Sequence, residues 1–310
     1  MSSPFQSCPA SNTAQAKVQQ RKLQQSVCSA SLVSKIPPKG VSSAVFLKSN
    51  MWPKHQELLI KFVDGEPWRK AWVEKVVMEN LQPHVGLTLN FTDSSNEAHI
   101  TVSFASARAS SLIGKDSIQD VPSMYLGWVD PPHGSFEWKG ETYAVPEDEH
   151  RNSGFDNGAT VIHEFGHALG MLHEHQNPRG KPIIWNDENV WDTFCGPPNK
   201  WDWATIQHNV IDALDINTTN GSNFDPQSVM IYGFPGALTK NMPNGIQPNP
   251  NLSRGDTNWL RKTYPKEGSV WLSESYAMEP AFDIDLRNYI ALNILVVIGF
   301  IIIYKVCFVE

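Results

Sequence analysis

The sequence predicts an α+β fold followed by one separate apolar helix near the C-terminus, and three observations carry that prediction. Strand-like alternation dominates the first half of the chain, helical spacing dominates the second, and residues 289–309 form an almost uninterrupted apolar run. At 310 residues there is length for a substantial core. A formal net charge of −7 without any Lys/Arg-rich run offers no field for phosphate backbones, so nucleic acid is excluded as a partner.

Residues 1–40, rich in Ser, Gln, Ala and Lys, bury too little apolar surface to offset ordering entropy and are expected to form a flexible arm. They also hold no apolar segment of the kind a secretory signal needs. "ELLIKFVDG" (57–65) is expected to be a strand ending in a turn. The next stretch (66–83) places Trp68, Trp72, Val76 and Val77 at helical spacing and stops at Pro83. "VGLTLNFTD" (85–93) and "AHITVSFAS" (98–106) alternate as half-buried strands do. Residues 110–157 are rich in Gly, Pro and Asp and are expected to be mostly loop, apart from a short strand in "SMYLGWV" (123–129). Helices are expected within 185–194 and 199–214. A closing helix follows at 252–265, with Ser253 as N-cap, Asp256 three residues on and Pro265 as its stop.

Four cysteines, Cys8, Cys28, Cys195 and Cys307, form neither a C-x-x-C pair nor a dense framework, so the domain is expected to stand without bridges. The run 289–309 is broken only by Asn293 and Lys305, and as a helix it spans about 30 Å, the thickness of a bilayer core. A buried core helix would show a polar face, and this run shows almost none. The chain therefore divides into an arm (1–40), a folded domain (41–265), a linker (266–288) and a transmembrane helix (289–309). A single-pass C-terminal anchor makes the lipid bilayer a partner and leaves the side of the membrane open.

The segment "VIHEFGHALGMLHEHQNP" (161–178) concentrates four histidines and two glutamates in eighteen residues. His163 and His167 lie four apart, on one face of a helix, so both side chains can reach a single ion. Glu164 follows the first of them. H-E-x-x-H suits zinc held by neutral imidazoles, with an open position for water and a carboxylate to take that water's proton. On a continued helix His173 would point away, but Gly170 can take positive φ, end the helix and turn His173 toward the metal. The whole string, H-E-x-x-H-x-x-G-x-x-H, is the metzincin form of the zinc motif. His55, His84, His99, His133, His150 and His208 are scattered singly and are expected to be surface or ordinary core, while His175 falls outside the ligand register.

Further residues narrow the resemblance. Met230 in "SVMIYG" (228–233) matches the methionine turn of metzincins, and Glu174 directly after the third histidine, with Tyr232 two residues after Met230, resembles the astacin family. The stretches "HEHQNPRGKPIIWNDENV" and "LSRGDTNWLRKTY" are similar to that family's sequence after the zinc helix and to its closing helix. The likeness covers roughly residues 55–265. It implies an astacin-like zinc metalloendopeptidase with a zincin-like α+β fold. Its upper half would hold a twisted, mostly parallel sheet and two long helices, and its lower half irregular structure and a closing helix, with a cleft between. It further implies that His163, His167 and His173 bind Zn2+, that Glu164 is general base and acid in hydrolysis by a zinc-activated water, and that Tyr232 is a switchable extra ligand. Glu174 would serve structure beside the site, and the 123–129 strand would be the edge that pairs with an extended protein or peptide substrate. The chain is expected to act as a monomer. The competing expectation is a membrane protein that keeps the zinc fold as a binding or structural component without turnover; the intact Glu164 argues against it.

Overall fold

The computed structural model describes residues 45–269 apart from 94–96, 150–156, 180–182, 198 and 222, so the N-terminal arm and the apolar run 289–309 lie outside the described residues. Along the chain come β1 (Val45–Leu47), β2 (Glu57–Phe62), α1 (Pro67–Asn80), β3 (Thr88–Phe91), β4 (Ile100–Ser103), β5 (Ala109–Ser111) and β6 (Met124–Leu126). Then follow β7 (Ser135–Trp138), β8 (Glu141–Ala144), α2 (Ala159–Ala168), α3 (Asp187–Phe194), α4 (Trp203–Ile206), β9 (Thr219–Gly221) and α5 (Arg254–Thr263). Among the described residues no helix is long and apolar enough to cross a membrane.

Five strands form the main sheet in the order β3-β2-β4-β6-β5, with every pairing parallel except that of β5 with β6. Parallel neighbours need long crossovers, and α1 supplies the one between β2 and β3. Its buried residues include Trp68, Trp72, Val76 and Val77, as their spacing predicts, and they join the sheet and α2 in one core with Leu58, Ile60, Val102 and Phe165. A second core in the C-terminal half gathers Ile183, Trp185, Val190, Trp191, Phe194, Ile206, Tyr232 and Phe234.

Several expectations are corrected. β4 is buried at all four residues rather than half-buried, because it lies between two parallel neighbours. Its polar side chains find partners inside: Ser103 donates to Asp64, and Thr101 and Ser123 exchange backbone-to-hydroxyl bonds of 2.9 Å. The 123–129 strand is internal, so it is not the peptide-pairing edge; the outermost place belongs to β5, whose three residues are themselves buried. The stretch 135–144, expected to be loop, is a hairpin whose turn residues Lys139 and Gly140 both take positive φ (50° and 82°), as a tight two-residue connection requires. Trp138 and Lys139 tie it to Glu74 of α1. The helix expected through 199–214 turns from α to π winding at Gln207. Finally, Cys195, at the C-terminal end of α3, is disulfide-bonded, against the expectation of a domain without bridges.

Candidate metal centre

Helix α2 buries every residue except Thr160, which is why the sequence there lacks a polar face. Both ends are fastened from outside the helix. At the start, the Asp130 carboxylate accepts from the Thr160 amide (2.9 Å) and hydroxyl (2.6 Å), as a side chain capping the positive end of a helix does. At the end, Trp52 Nε1 donates to the Ala168 carbonyl (2.8 Å) and the Tyr264 hydroxyl to that of Leu169 (2.7 Å).

Gly170 then breaks the helix at φ 96°. Its amide donates to the His167 carbonyl and the Met171 amide to that of Gly166, the paired bonds of a Schellman stop. This reversal brings His173 back to the other two rings. One nitrogen from each of His163, His167 and His173 lies within 4.8 Å of the others, and the Nε2 atoms of His167 and His173 are 3.1 Å apart. His163 Nδ1 faces the Val229 carbonyl at 2.9 Å and His167 Nδ1 the Met171 carbonyl at 2.8 Å. A carbonyl only accepts, so both Nδ1 atoms carry the proton and both Nε2 atoms present lone pairs inward. His163 Nε2 is buried with no hydrogen-bond partner among the described residues. Burial lowers the pKa of His163 to about 4 and of His167 to about 3, and holds His173 well below its usual value, so all three rings are neutral.

The methionine turn closes the floor. Val229 supplies the carbonyl for His163, and the Met230 carbonyl accepts from the Glu174 amide (3.0 Å). Met230 approaches α2 so closely that a Cβ on Gly166 would stand 2.7 Å from its sulfur. Fully buried Asp256 holds the turn by accepting from Ser228 Oγ (2.6 Å) and the Val229 amide (2.8 Å). The same carboxylate closes the capping box of α5 with Ser253. Glu174, also fully buried, accepts from the Asp225 amide (2.7 Å) and Asn177 Nδ2 (2.8 Å), and burial raises its pKa to about 8. Tyr232 brings its hydroxyl to 2.6 Å from His173 Nε2. Glu164, one residue after His163, is fully buried.

A scan against protein-family models finds no match, and neither does a search of curated proteins. Among solved structures, one of myroilysin superposes with a TM-score of 0.60 at 28% identity, over 72% of this chain and the whole of that one. The chain is an astacin-like zinc metallopeptidase. A second structure of myroilysin (TM-score 0.47, 28% identity, 76% of this chain and 94% of that one) also matches. So does the medaka (Oryzias latipes) hatching enzyme zinc-protease HCE-1 (0.42, 18%, 74% and 100%). The donor set fits the metal of such an astacin-like site. In a tetrahedron with 2.1 Å bonds, ligand nitrogens stand roughly 3.4 Å apart, inside the span that the three imidazoles already hold.

The structure brings together the three histidines that the motif named, sets the Tyr232 hydroxyl against His173, and buries Glu164 one residue after the first of them. It adds the carbonyl of Met171, four residues past His167, and Asp130 and the carbonyl of Val229, which no local pattern marks because they act across 30 and 66 residues. It also gives His175 a place. This ring is buried and donates to the Asn209 carbonyl at 3.0 Å, next to Gln176, which donates to the carbonyls of His208 and Asp212. Side chains thus take up carbonyls of the π turn.

Proposed function

We propose that the chain is an endopeptidase of extended protein or peptide substrates, with residues 41–265 as its catalytic domain and 289–309 as a membrane anchor. The observation that carries the catalytic reading is the convergence of three neutral imidazoles; Glu164, next in sequence to the first of them, is fully buried. His163, His167 and His173 would hold the zinc ion, and Nε2 is the nitrogen that the first two have free for it, because their Nδ1 atoms are committed to carbonyls. Zinc, when bound, supplies the Lewis acidity that makes hydrolysis feasible near neutral pH. Glu164 takes the proton of the attacking water and later passes it to the departing amide nitrogen. The Tyr232 hydroxyl donates to the oxyanion that develops on the scissile carbonyl. Val229, Met171 and Asp256 keep the rings oriented meanwhile.

Support for the anchor is the apolar run itself, interrupted only by Asn293 and Lys305. The full chain, extracted in detergent and loaded with zinc, is expected to cleave denatured casein, to stop on addition of a chelator and to resume on zinc. Cleavage that ignores the chelator, or none at all, overturns the catalytic reading. Recovery of the chain in an alkaline carbonate wash of membranes overturns the anchor.

A further inference from the structure

We propose that His175 is a positioning residue for Tyr232: its ring, pinned to the π turn, forms the surface that holds the phenol at the metal centre. The proposal rests on the peptidase reading above. Four observations support it. The His175 ring lies nearly parallel to that of Tyr232, with centroids 4.9 Å apart and planes 27° apart, and nearly parallel to His173 on the same terms (5.2 Å, 22°). Phe234 meets it edge-on at 5.2 Å and Trp185 at 6.4 Å, so the ring has packing neighbours that resist rotation. Its Nε2 donates to the Asn209 carbonyl, which fixes the ring plane from the far side. Its Nδ1 is buried without a hydrogen-bond partner among the described residues, a costly feature in a ring kept only for packing, where an apolar side chain would serve.

The chain of positioning therefore runs from the π turn (207–211) through His175 to Tyr232, and from there to the position 2.6 Å from His173 Nε2. Direct contact with substrate or metal is not part of the role. A phenol that must meet a developing oxyanion gains most from being held in one orientation before the substrate arrives.

Two substitutions separate the ring from its tether. His175→Gln keeps a donor for the Asn209 carbonyl and removes the aromatic face; His175→Phe keeps the face and removes the donor. In the zinc-loaded full chain, His175→Gln is expected to lower kcat by about tenfold and His175→Phe by less, with KM and zinc affinity nearly unchanged and neither loss exceeding that of Tyr232→Phe. In the Tyr232→Phe background both substitutions are expected to be silent. A second readout needs no turnover: with copper(II) in place of zinc, a phenolate-to-copper absorption band that Tyr232→Phe abolishes is expected to weaken in both His175 variants at unchanged copper stoichiometry. Losses that add in the double variants, or a band that ignores His175, overturn the proposal. A wild-type chain with the band but without chelator-sensitive cleavage sinks the peptidase reading and leaves the positioning claim to be judged on the band.

Discussion

Asp256→Ala is expected to damage the metal centre from a distance, and the size of the effect follows from the bonds it removes. The carboxylate accepts from the Ser228 hydroxyl, the Val229 amide and the Ser253 amide at 2.6, 2.8 and 2.9 Å, and the residue is fully buried. Alanine strands three buried donors at about 1–3 kcal/mol each; partial relaxation leaves a loss of about 3–6 kcal/mol. Desolvation raises the Asp256 pKa, which means that the charged form is held there at a cost and that these donors are what offset it. For a domain of this length, 1 kcal/mol corresponds to about 2–4 °C, so calorimetry should register a fall in Tm of about 10–20 °C. Because Val229 supplies the carbonyl that orients His163, chelator competition should also show weakened zinc binding. Asp256→Asn, which keeps the volume and one acceptor, should lose less than half as much. An alanine variant that melts within 3 °C or so of the parent, with unchanged zinc affinity, would refute the claim that this carboxylate holds up the floor.

Glu164→Gln should retain zinc, by metal analysis, and lose roughly 10²–10⁴-fold in kcat, the scale of positioned proton transfer; near-normal turnover would remove Glu164 from the mechanism. Gly170→Val places a β-branched residue at φ 96°, and a destabilisation of about 2 kcal/mol or more with loss of zinc stoichiometry is expected in chemical denaturation. The metal-free chain should weaken in acid. His163 and His167 have pKa values lowered from 6.5 to about 4 and about 3. The unfolded chain therefore binds protons first, and stability is full above pH 6.5 and lost as pH falls toward 4 and then 3. A Tm that stays flat from pH 7 to 4 in the chelator-treated protein would contradict the buried, neutral state of these rings.

Much of the fold was legible because it obeys period and punctuation. The spacing of Trp68, Trp72, Val76 and Val77 marks α1, and Ser253 with Asp256 marks the start of α5. Gly170 announced the turn that returns His173, since a register argument alone would have pointed that ring away. What the sequence hid is non-local. Ala109–Ser111 has no alternation that would mark it as a strand, and only the sheet shows that it displaces 124–126 from the outermost place. The Lys139-Gly140 turn was readable in retrospect, from Phe136 and Trp138 alternating before it. The π winding at Gln207 cannot be read from its own residues, because the donors that take its carbonyls sit at His175 and Gln176, some thirty positions upstream. Asp256 was read only as the acidic residue three positions after the N-cap Ser253, and its task at Val229 needed coordinates.

That double task has a consequence for biosynthesis. A ribosome meets the codons for all three imidazoles, and for the methionine beneath them, well before it reaches the one for Asp256. Until that carboxylate emerges, the growing polypeptide carries every metal donor and nothing to brace the carbonyl behind His163. The floor of the metal centre is thereby completed only when the segment that carries Asp256 has joined the fold.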